Sequence, residues 1–204
     1  MEKKDMWLIE KSHFAQGIRL VCGVDEAGRG PLAGPVCAAA VILPPGLEIP
    51  GLDDSKKLTD KRRRALFPVI KEQALAYGIA FATHEEIDQI NILQASYLAM
   101  ERAMGNLSIR PEIALIDGNR AKVFGLPVQT VVKGDSLSAS IAAASILAKV
   151  TRDDYMEEMA KVYPQYDFEI HKGYGTKRHY EAIAAYGPSP IHRMTFLKKL
   201  YGTK

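Results

Sequence analysis

Two adjacent acids, Asp25 and Glu26, end an apolar run and are followed at once by a glycine-arginine-glycine turn at 28–30. The run, residues 18–24, has the character of a strand that enters a protein core. Carboxylates at the end of a buried strand repel each other and lose solvation, so they require a cation or contact with water. The turn offers backbone N–H groups and a guanidinium, which suit a phosphate. Metal-binding acids beside an anion-binding turn are the arrangement that phosphodiester chemistry needs.

The composition indicates a globular protein that carries a slight positive charge. Its 204 residues, 47% of them hydrophobic, suffice for one core without disulfides or structural metals. A formal charge of +3 permits a nucleic-acid partner without requiring one. Because we find no secretory leader and no apolar run long enough to cross a bilayer, we expect a cytoplasmic protein without a membrane partner. A monomer is the default expectation. Cys22 and Cys37 lie in apolar runs and are predicted to be reduced core thiols.

Hydrophobic patterning predicts an α/β protein with a five-stranded mixed sheet and helices on both faces. Strands are predicted at 18–26, 35–43, 78–83, 113–116 and 128–132, the first two joined as a wide hairpin. The last two are predicted to be buried parallel strands, since the fourth is wholly apolar and the fifth begins and ends on valine. Helices are predicted at 60–75, 85–104, 136–162, 176–186 and 194–201. Pro68 can kink or shorten the first helix, the arginines at 62–64 are placed on its solvent side, and Asn91 is expected to break the second.

The chain is predicted to form a single domain over residues 1–204. Its core is expected at about 18–162, and a small helical C-terminal lobe at 163–204. We find no repeat, low-complexity tract or linker that would divide it further.

Acids follow three of the predicted strands. Asp25 and Glu26 end the first, Asp117 ends the fourth, and Asp135 comes just after the fifth. If the first and fourth strands are parallel neighbours, Asp25 and Asp117 meet at one sheet edge, and Asp135 can lean over the same point. Carboxylates that converge in this way favour Mg²⁺. Because adjacent strand residues face opposite sides, Glu26 shares such a metal only if the strand ends or bulges there, or through its backbone carbonyl.

Each acid also has an ordinary structural interpretation. Asp117 with its following glycine is a frequent turn dipeptide, and Asp135 is a good helix N-cap. Glu26 can pair with Arg29 at a surface. Asp25 is the hardest of them to explain without a function, because it interrupts a buried run.

Three further groups are candidates for contact with a nucleic acid. Ser55, Lys56 and Lys57 supply a hydroxyl and two ammonium groups from a loop, although a solvated charge run before a helix cap is the better explanation of these residues taken alone. Tyr174 stands between two glycines with basic neighbours, so its ring is expected to be exposed for stacking or else packed under its own loop. Lys149 and Arg152 either line the groove or form a surface row. His171, His179 and His192 show no metal-ligand spacing, and a structural role is the better interpretation for His179 and His192.

Five blocks, in order, resemble the ribonuclease HII family, the type 2 ribonucleases H. They are Gly23–Val36, Asp54–Leu58, Ile116–Asn119, Lys133–Asp135 with Ser140–Asp153, and His171–Thr176, and the resemblance extends from residue 23 to the histidine-arginine pair at 192–193. The sister family, ribonuclease HIII, usually carries lysine in the glycine turn and a sizeable N-terminal extension. Arg29 and the roughly twenty residues before the first strand favour type HII.

The resemblance implies a ribonuclease H-like fold and cleavage of RNA in RNA–DNA hybrids and of single ribonucleotides in duplex DNA, as in ribonucleotide excision repair. It implies two Mg²⁺ or Mn²⁺ ions, a hydroxide formed from water, and products with 3′-hydroxyl and 5′-phosphate ends. It implies catalytic and metal-binding roles for Asp25, Glu26, Asp117 and Asp135, and substrate binding by Gly28, Arg29, Gly30 and Tyr174, with Ser55, Lys56 and Lys57 as nucleic-acid backbone contacts.

Three other functions remain open from the residues alone. A nuclease of the same fold that cuts DNA would accept an all-DNA duplex. A binding module whose acids are only structural would give no magnesium-dependent product. A small-molecule phosphatase would hydrolyse nucleotides and ignore duplexes.

Overall fold

A computed structural model describes residues 5–201 except 54 and 123. Its strands are β1 (Val21–Ala27), β2 (Val36–Ile42), β3 (Ala76–Ala82), β4 (Ile113–Asp117) and β5 (Val128–Val131). Its helices are α1 (Leu8–Phe14), α2 (Asp60–Gln73), α3 (His84–Gly105), α4 (Ala139–Val162), α5 (Phe168–His171), α6 (Lys177–Tyr186) and α7 (Lys198–Tyr201). Short 3₁₀ turns cover Gly134–Ser136, Pro164–Tyr166 and Met194–Phe196.

The strands form one mixed sheet in the order β3-β2-β1-β4-β5. β1 is antiparallel to β2 and β2 to β3, whereas β1, β4 and β5 run parallel. This arrangement confirms the predicted five-stranded mixed sheet. It also makes the first and fourth strands the parallel neighbours that the acid cluster requires.

Alternate residues of β1 belong to different hydrophobic clusters. Cys22 and Val24 pack with α3 on one face, whereas Val21 packs with Ile141 of α4 on the other. α2 and the N-terminal segment cover the same face as α4. The helices on both faces are therefore confirmed, and the two cysteines are buried free thiols, as predicted.

The C-terminal elements form a separate hydrophobic cluster. Tyr166, Phe168 and Ile183 pack against Met156 in the second half of α4 and against Leu32 in the loop after β1. The lobe thus lies directly on the segment that carries the glycine turn. The division into a core and a lobe at residue 163 stays a prediction.

α2 contains Pro68 and ends at Gln73, two residues before the predicted end. Two predicted starts are wrong for identifiable reasons. β1 begins at Val21 rather than at 18, since the side chain of Glu112 accepts hydrogen bonds from the N–H groups of Arg19 and Leu20 in place of a neighbouring strand. α4 begins after Ser138, whose hydroxyl caps it, so residues 136–138 are not part of the helix. The break at Asn91 is confirmed by its φ of 65°.

The arginines of α2 are not all on its solvent side. The Arg63 guanidinium turns inward and donates to the carbonyl oxygens of Ser55 and Leu58. Among the helices that the structure describes, none combines the length and apolarity needed to cross a membrane.

Candidate active site

Asp25 and Asp117 lie side by side at the carboxyl edge of the parallel strands. The register pairs Val24 with Ile116, so each acid is the next residue beyond a paired position. Both acids also share the α4 face of the sheet, because they follow the alternation of Val21 and Leu115. The predicted meeting of these two acids is confirmed.

Asp135 completes the cluster from the 3₁₀ turn before α4. The preceding residue fixes this turn, since the Gly134 N–H donates to Oδ1 of Asp117 at 2.6 Å. Asp25, Asp117 and Asp135 each offer a carboxylate oxygen, and these oxygens all lie within 4.8 Å of one another. The interpretation of Asp135 as the N-cap of α4 is wrong, because Ser138 takes that position.

Negative charge accumulates in this cluster. Burial raises the pKa of Asp25 well above its ordinary value, and the charges of Glu26 and Asp117 raise it further. A side-chain cation partly balances the charge, since Lys56 Nζ lies 3.2 Å from Oδ2 of Asp135. Carboxylate oxygens that destabilise one another are donors suited to a hard divalent cation, so the residues present fit Mg²⁺ or Mn²⁺.

Glu26 faces away from the three aspartates. β1 does not end or bulge at this residue, because it stays paired with β2 to Ala27. The Glu26 carboxylate lies on the α3 side of the sheet and accepts a hydrogen bond from Arg29 Nη1 at 3.1 Å. Burial raises its pKa, although Arg29 opposes the shift. The structure therefore does not bring the Glu26 side chain into the cluster, and its metal-binding role stays a prediction.

A cavity of about 270 Å³ opens beside the cluster on this α3 side. Its lining includes Glu26, Arg29, Asp117, Asn119 and Arg120. Acidic and basic side chains thus line one cavity, so positively charged side chains lie beside the acids at the sheet edge.

The glycine turn packs tightly against the side chain of Arg152. Gly28 has a φ of 95°, and a Cβ there would come within 1.9 Å of the Arg152 side chain. Arg29 and Gly30 are exposed. Arg152 itself is buried and donates to the backbone carbonyls of Ala33, Pro35 and Lys172, so both positions considered for it, the groove and the surface row, are wrong.

Tyr174 projects beside this turn. The residue is 44% exposed, and a Cβ on Gly30 would lie 3.7 Å from its Cε1 atom. The hydrogen bonds that hold the loop backbone include one from the Leu32 N–H to the Gly173 carbonyl and one between His179 Nδ1 and the Tyr174 carbonyl. The exposed-ring interpretation of Tyr174 is confirmed.

The loop that supplies Ser55, Lys56 and Lys57 does not present all three alike. Ser55 is buried, and its hydroxyl lies 2.5 Å from that of Ser145 in α4. Lys56 reaches Asp135, whereas Lys57 pairs with Asp53. Only Lys56 among them is brought to the acid cluster.

The remaining candidates have structural partners. Lys149 pairs with Asp153 one turn along α4. His171, His179 and His192 are buried in the C-terminal lobe, which confirms the structural interpretation of the last two. Analysis of the sequence missed Arg193, whose buried guanidinium donates to Gly28, Arg29 and Gly34 carbonyls. A signal was available, because the family resemblance extends to the histidine-arginine pair at 192–193.

The chain is similar to a single family along nearly its whole length. The family model described as Ribonuclease HII matches residues 22–199. A Ribonuclease HII of Endomicrobium trichonymphae is 56% identical over 194 residues, covering 94% of this chain and 92% of that protein. A Ribonuclease HII of a Marinomonas species is 61% identical over 179 residues, covering 87% and 89%. The solved ribonuclease H2 of Pyrococcus horikoshii aligns with a TM-score of 0.72 at 27% identity, covering 90% of this chain and 99% of that one.

Proposed function

This chain belongs to the ribonuclease HII family and is a type 2 ribonuclease H hydrolase, and from this premise we propose that it cleaves RNA–DNA hybrids and duplex DNA that contains single ribonucleotides. The observation that carries the proposal is the convergence of Asp25, Asp117 and Asp135 within 4.8 Å. Arg29 of the glycine turn and Asp117 of the cluster line one cavity, and Tyr174 lies beside Gly30 of the same turn, which supports a substrate path from the acids to the turn and the aromatic ring.

Two Mg²⁺ or Mn²⁺ ions would be held by Asp25, Asp117 and Asp135, with Glu26 as the fourth acid that the resemblance implies. Divalent ions in such a site activate water and stabilise the charge on a scissile phosphate and its leaving oxygen. The buried carboxylates favour this loading, because a divalent cation relieves their mutual repulsion. Lys56 keeps a positive charge at Asp135 from the solvent side.

Selectivity for ribose would come from the glycine turn and Tyr174. The 2′-hydroxyl is the group that separates ribose from deoxyribose. Tyr174 would stack on the deoxyribose that follows the ribonucleotide, while the turn at 28–30 holds the junction phosphates. Contacts with phosphates supply affinity that depends on salt but not on base sequence.

We propose that cleavage leaves a 3′-hydroxyl and a 5′-phosphate. Water is then the attacking group, and the 2′-hydroxyl serves recognition only. Attack by the 2′-hydroxyl would instead leave a cyclic phosphate. One chain supplies all of the acids, so a monomer is expected to suffice.

The decisive experiment uses three labelled duplexes of one sequence: all-DNA, RNA–DNA hybrid, and DNA with one ribonucleotide. Magnesium-dependent cleavage of the last two, with 5′-phosphate ends at the cut, is expected. Cleavage of the all-DNA duplex would favour a DNA-cutting nuclease of the same fold. Binding without any magnesium-dependent product would favour a binding module, and hydrolysis of free nucleotides alone would favour a phosphatase.

A further inference from the structure

Arg193 lies beneath the glycine turn and holds it by its backbone. The residue is 0% exposed. Its guanidinium donates to the Gly28 carbonyl at 2.6 Å, to the Arg29 carbonyl at 2.9 Å and to the Gly34 carbonyl at 2.9 Å. A fork with several N–H donors in one plane is the side chain that can hold three carbonyl groups at once.

These contacts determine the direction of the N–H groups in the turn. In a trans peptide unit, the carbonyl of one residue and the N–H of the next point to opposite sides. Carbonyls of Gly28 and Arg29 that point inward to Arg193 therefore turn the N–H groups of Arg29 and Gly30 outward. Both residues are exposed, and within the described part of the chain neither N–H donates a hydrogen bond to protein.

Arg193 also brings positive charge close to the turn. Among the described residues, no carboxylate forms a salt bridge with it, and its guanidinium lies 5.2 Å from the centre of the Phe196 ring. Burial lowers its pKa to about 9, so it stays charged at neutral pH. Arg152, which contacts the Ala33 and Pro35 carbonyls of the same loop, adds a second buried cation.

We propose that Arg193 is a positioning residue for phosphate recognition: its guanidinium orients the Gly28–Gly30 turn so that two backbone N–H groups face a nucleic-acid phosphate. This inference rests on the proposed function, since it assigns the turn to substrate phosphate. Arg193 touches neither the substrate nor the acids in this account and acts through the turn alone.

Arg193→Lys tests the proposal because it keeps the charge and removes the fork. A single ammonium on a shorter, flexible stem cannot hold the same three carbonyls. We expect KM for the duplex with one ribonucleotide to rise about tenfold, as for the loss of hydrogen bonds to a charged group, while kcat changes less than about twofold. The matched control is Ile183→Ala, which leaves a cavity in the same lobe without contact with the turn.

An unchanged KM in Arg193→Lys, or an equal rise in Ile183→Ala, would overturn the proposal and leave Arg193 as a structural residue. If Arg193→Lys does not fold, amide NMR of the wild-type protein decides. Titration with inorganic phosphate is expected to shift the Arg29 and Gly30 amide signals, and the absence of such shifts would also overturn it. Failure of the proposed function is distinguishable, because the wild-type enzyme would then cleave neither ribonucleotide substrate.

Discussion

The ammonium nitrogen of Lys56 lies 3.2 Å from Oδ2 of Asp135, although the lysine side chain is largely exposed and the aspartate is buried. Burial acts to lower the pKa of Lys56, but the charges of Asp135, Asp25 and Asp117 outweigh it and raise the pKa above its ordinary value. The lysine therefore senses the whole acid cluster and competes with any other cation for Asp135.

Lys56→Met should consequently strengthen divalent binding and weaken substrate binding. Removal of an exposed ion pair is worth up to ~1 kcal/mol, so the dissociation constant for Mn²⁺ should fall by up to about fivefold. Calorimetric titration of the protein with Mn²⁺, in the absence of nucleic acid, measures this dissociation constant. Lys57→Met is the control, because Lys57 pairs with Asp53 instead. Weaker Mn²⁺ binding in Lys56→Met would contradict this account.

Asp25→Asn should abolish cleavage and yet stabilise the divalent-free protein. Because the pKa of Asp25 is raised in the fold, its ionised form costs stability at neutral pH, and the cost is removed by a neutral amide. The Asn oxygen can still accept the Glu26 N–H bond that Asp25 accepts. Cleavage should fall by about 10³-fold, since a divalent ion supplies several kcal/mol of charge stabilisation.

Thermal unfolding with and without Mg²⁺ checks this prediction. The wild-type melting temperature should rise on addition of Mg²⁺, and that of Asp25→Asn should start higher and rise less. Asp154→Asn, an exposed acid paired with Arg64, is the matched control for both readouts. Normal turnover by Asp25→Asn would refute the assignment of the site.

The strand ends and their acids were predictable, because apolar runs that stop at a carboxylate are visible in the sequence. The positions of α1 and of the start of α4 were not. α1 is short, and its contacts come from far along the chain: Glu10 accepts hydrogen bonds from the hydroxyls of Ser138 and Ser140, and Trp7 donates to the Leu47 carbonyl. Local patterns contain no information on such contacts.

The direction in which individual side chains point was equally hard to predict from the sequence. Asp25 and Glu26 are neighbours in sequence. The alternation rule places their side chains on opposite faces of the sheet only if both residues belong to the strand, and the sequence does not show where the strand ends. The structure shows that β1 continues to Ala27 along β2, beyond the end of its other neighbour β4 at Asp117. Because β1 continues past the end of β4, the Glu26 side chain stays on the face of the sheet opposite to that of Asp25.

Tyr174→Ala should reduce cleavage at single embedded ribonucleotides by about 10- to 100-fold, in line with about 1–3 kcal/mol for a stacked ring. The loop should persist, because its hydrogen bonds from Leu32 and His179 use backbone atoms of Gly173 and Tyr174. Tyr174→Phe should stay within a few-fold of wild type. Tyr186→Ala, which removes another exposed ring of the same lobe, should have no effect. Steady-state rates of cleavage of the single-ribonucleotide duplex test this prediction. Unchanged activity of Tyr174→Ala would contradict the proposed stacking role of Tyr174.

The buried histidines should make the protein sensitive to mild acid. His192 Nδ1 accepts the Ser189 N–H, so its Nε2 carries the proton and donates to His179 Nε2, while His179 Nδ1 donates to the Tyr174 carbonyl. A further proton on His192 Nδ1 would break the hydrogen bond from the Ser189 N–H, and one on His179 Nε2 would break the bond between the two rings. Burial lowers the pKa values of His179 and His192 to about 4.

In the unfolded chain these histidines titrate near 6.5, so the unfolded state binds more protons between about pH 6.5 and 4. Their stabilising effect is complete above this window and is lost as the pH falls through it. Urea unfolding at pH 7.5, 6.0 and 5.0 should show a declining free energy of unfolding. His192→Gln should flatten this decline. A decline that is equally steep in the wild-type protein and in His192→Gln would contradict the assignment of neutral histidines, since the opposing effect of the raised Asp25 pKa is common to both proteins.

Gly23→Ala should damage the site without altering any acid. Gly23 lies in β1 two residues before Asp25, and a Cβ there would come within 2.1 Å of the Ser140 backbone carbon and 2.2 Å of the Ile141 nitrogen. Backbone atoms at the start of α4 cannot rotate away, so the helix must shift, and with it the adjoining turn that carries Asp135. Overpacking of this kind costs about 1–3 kcal/mol or more.

Urea unfolding should show that loss, and calorimetry should show weaker Mn²⁺ binding. Gly105→Ala is the control, because a Cβ at the end of α3 meets nothing within 4 Å. Unaltered Mn²⁺ affinity in Gly23→Ala would mean that the spacing between β1 and α4 does not set the geometry of the aspartates.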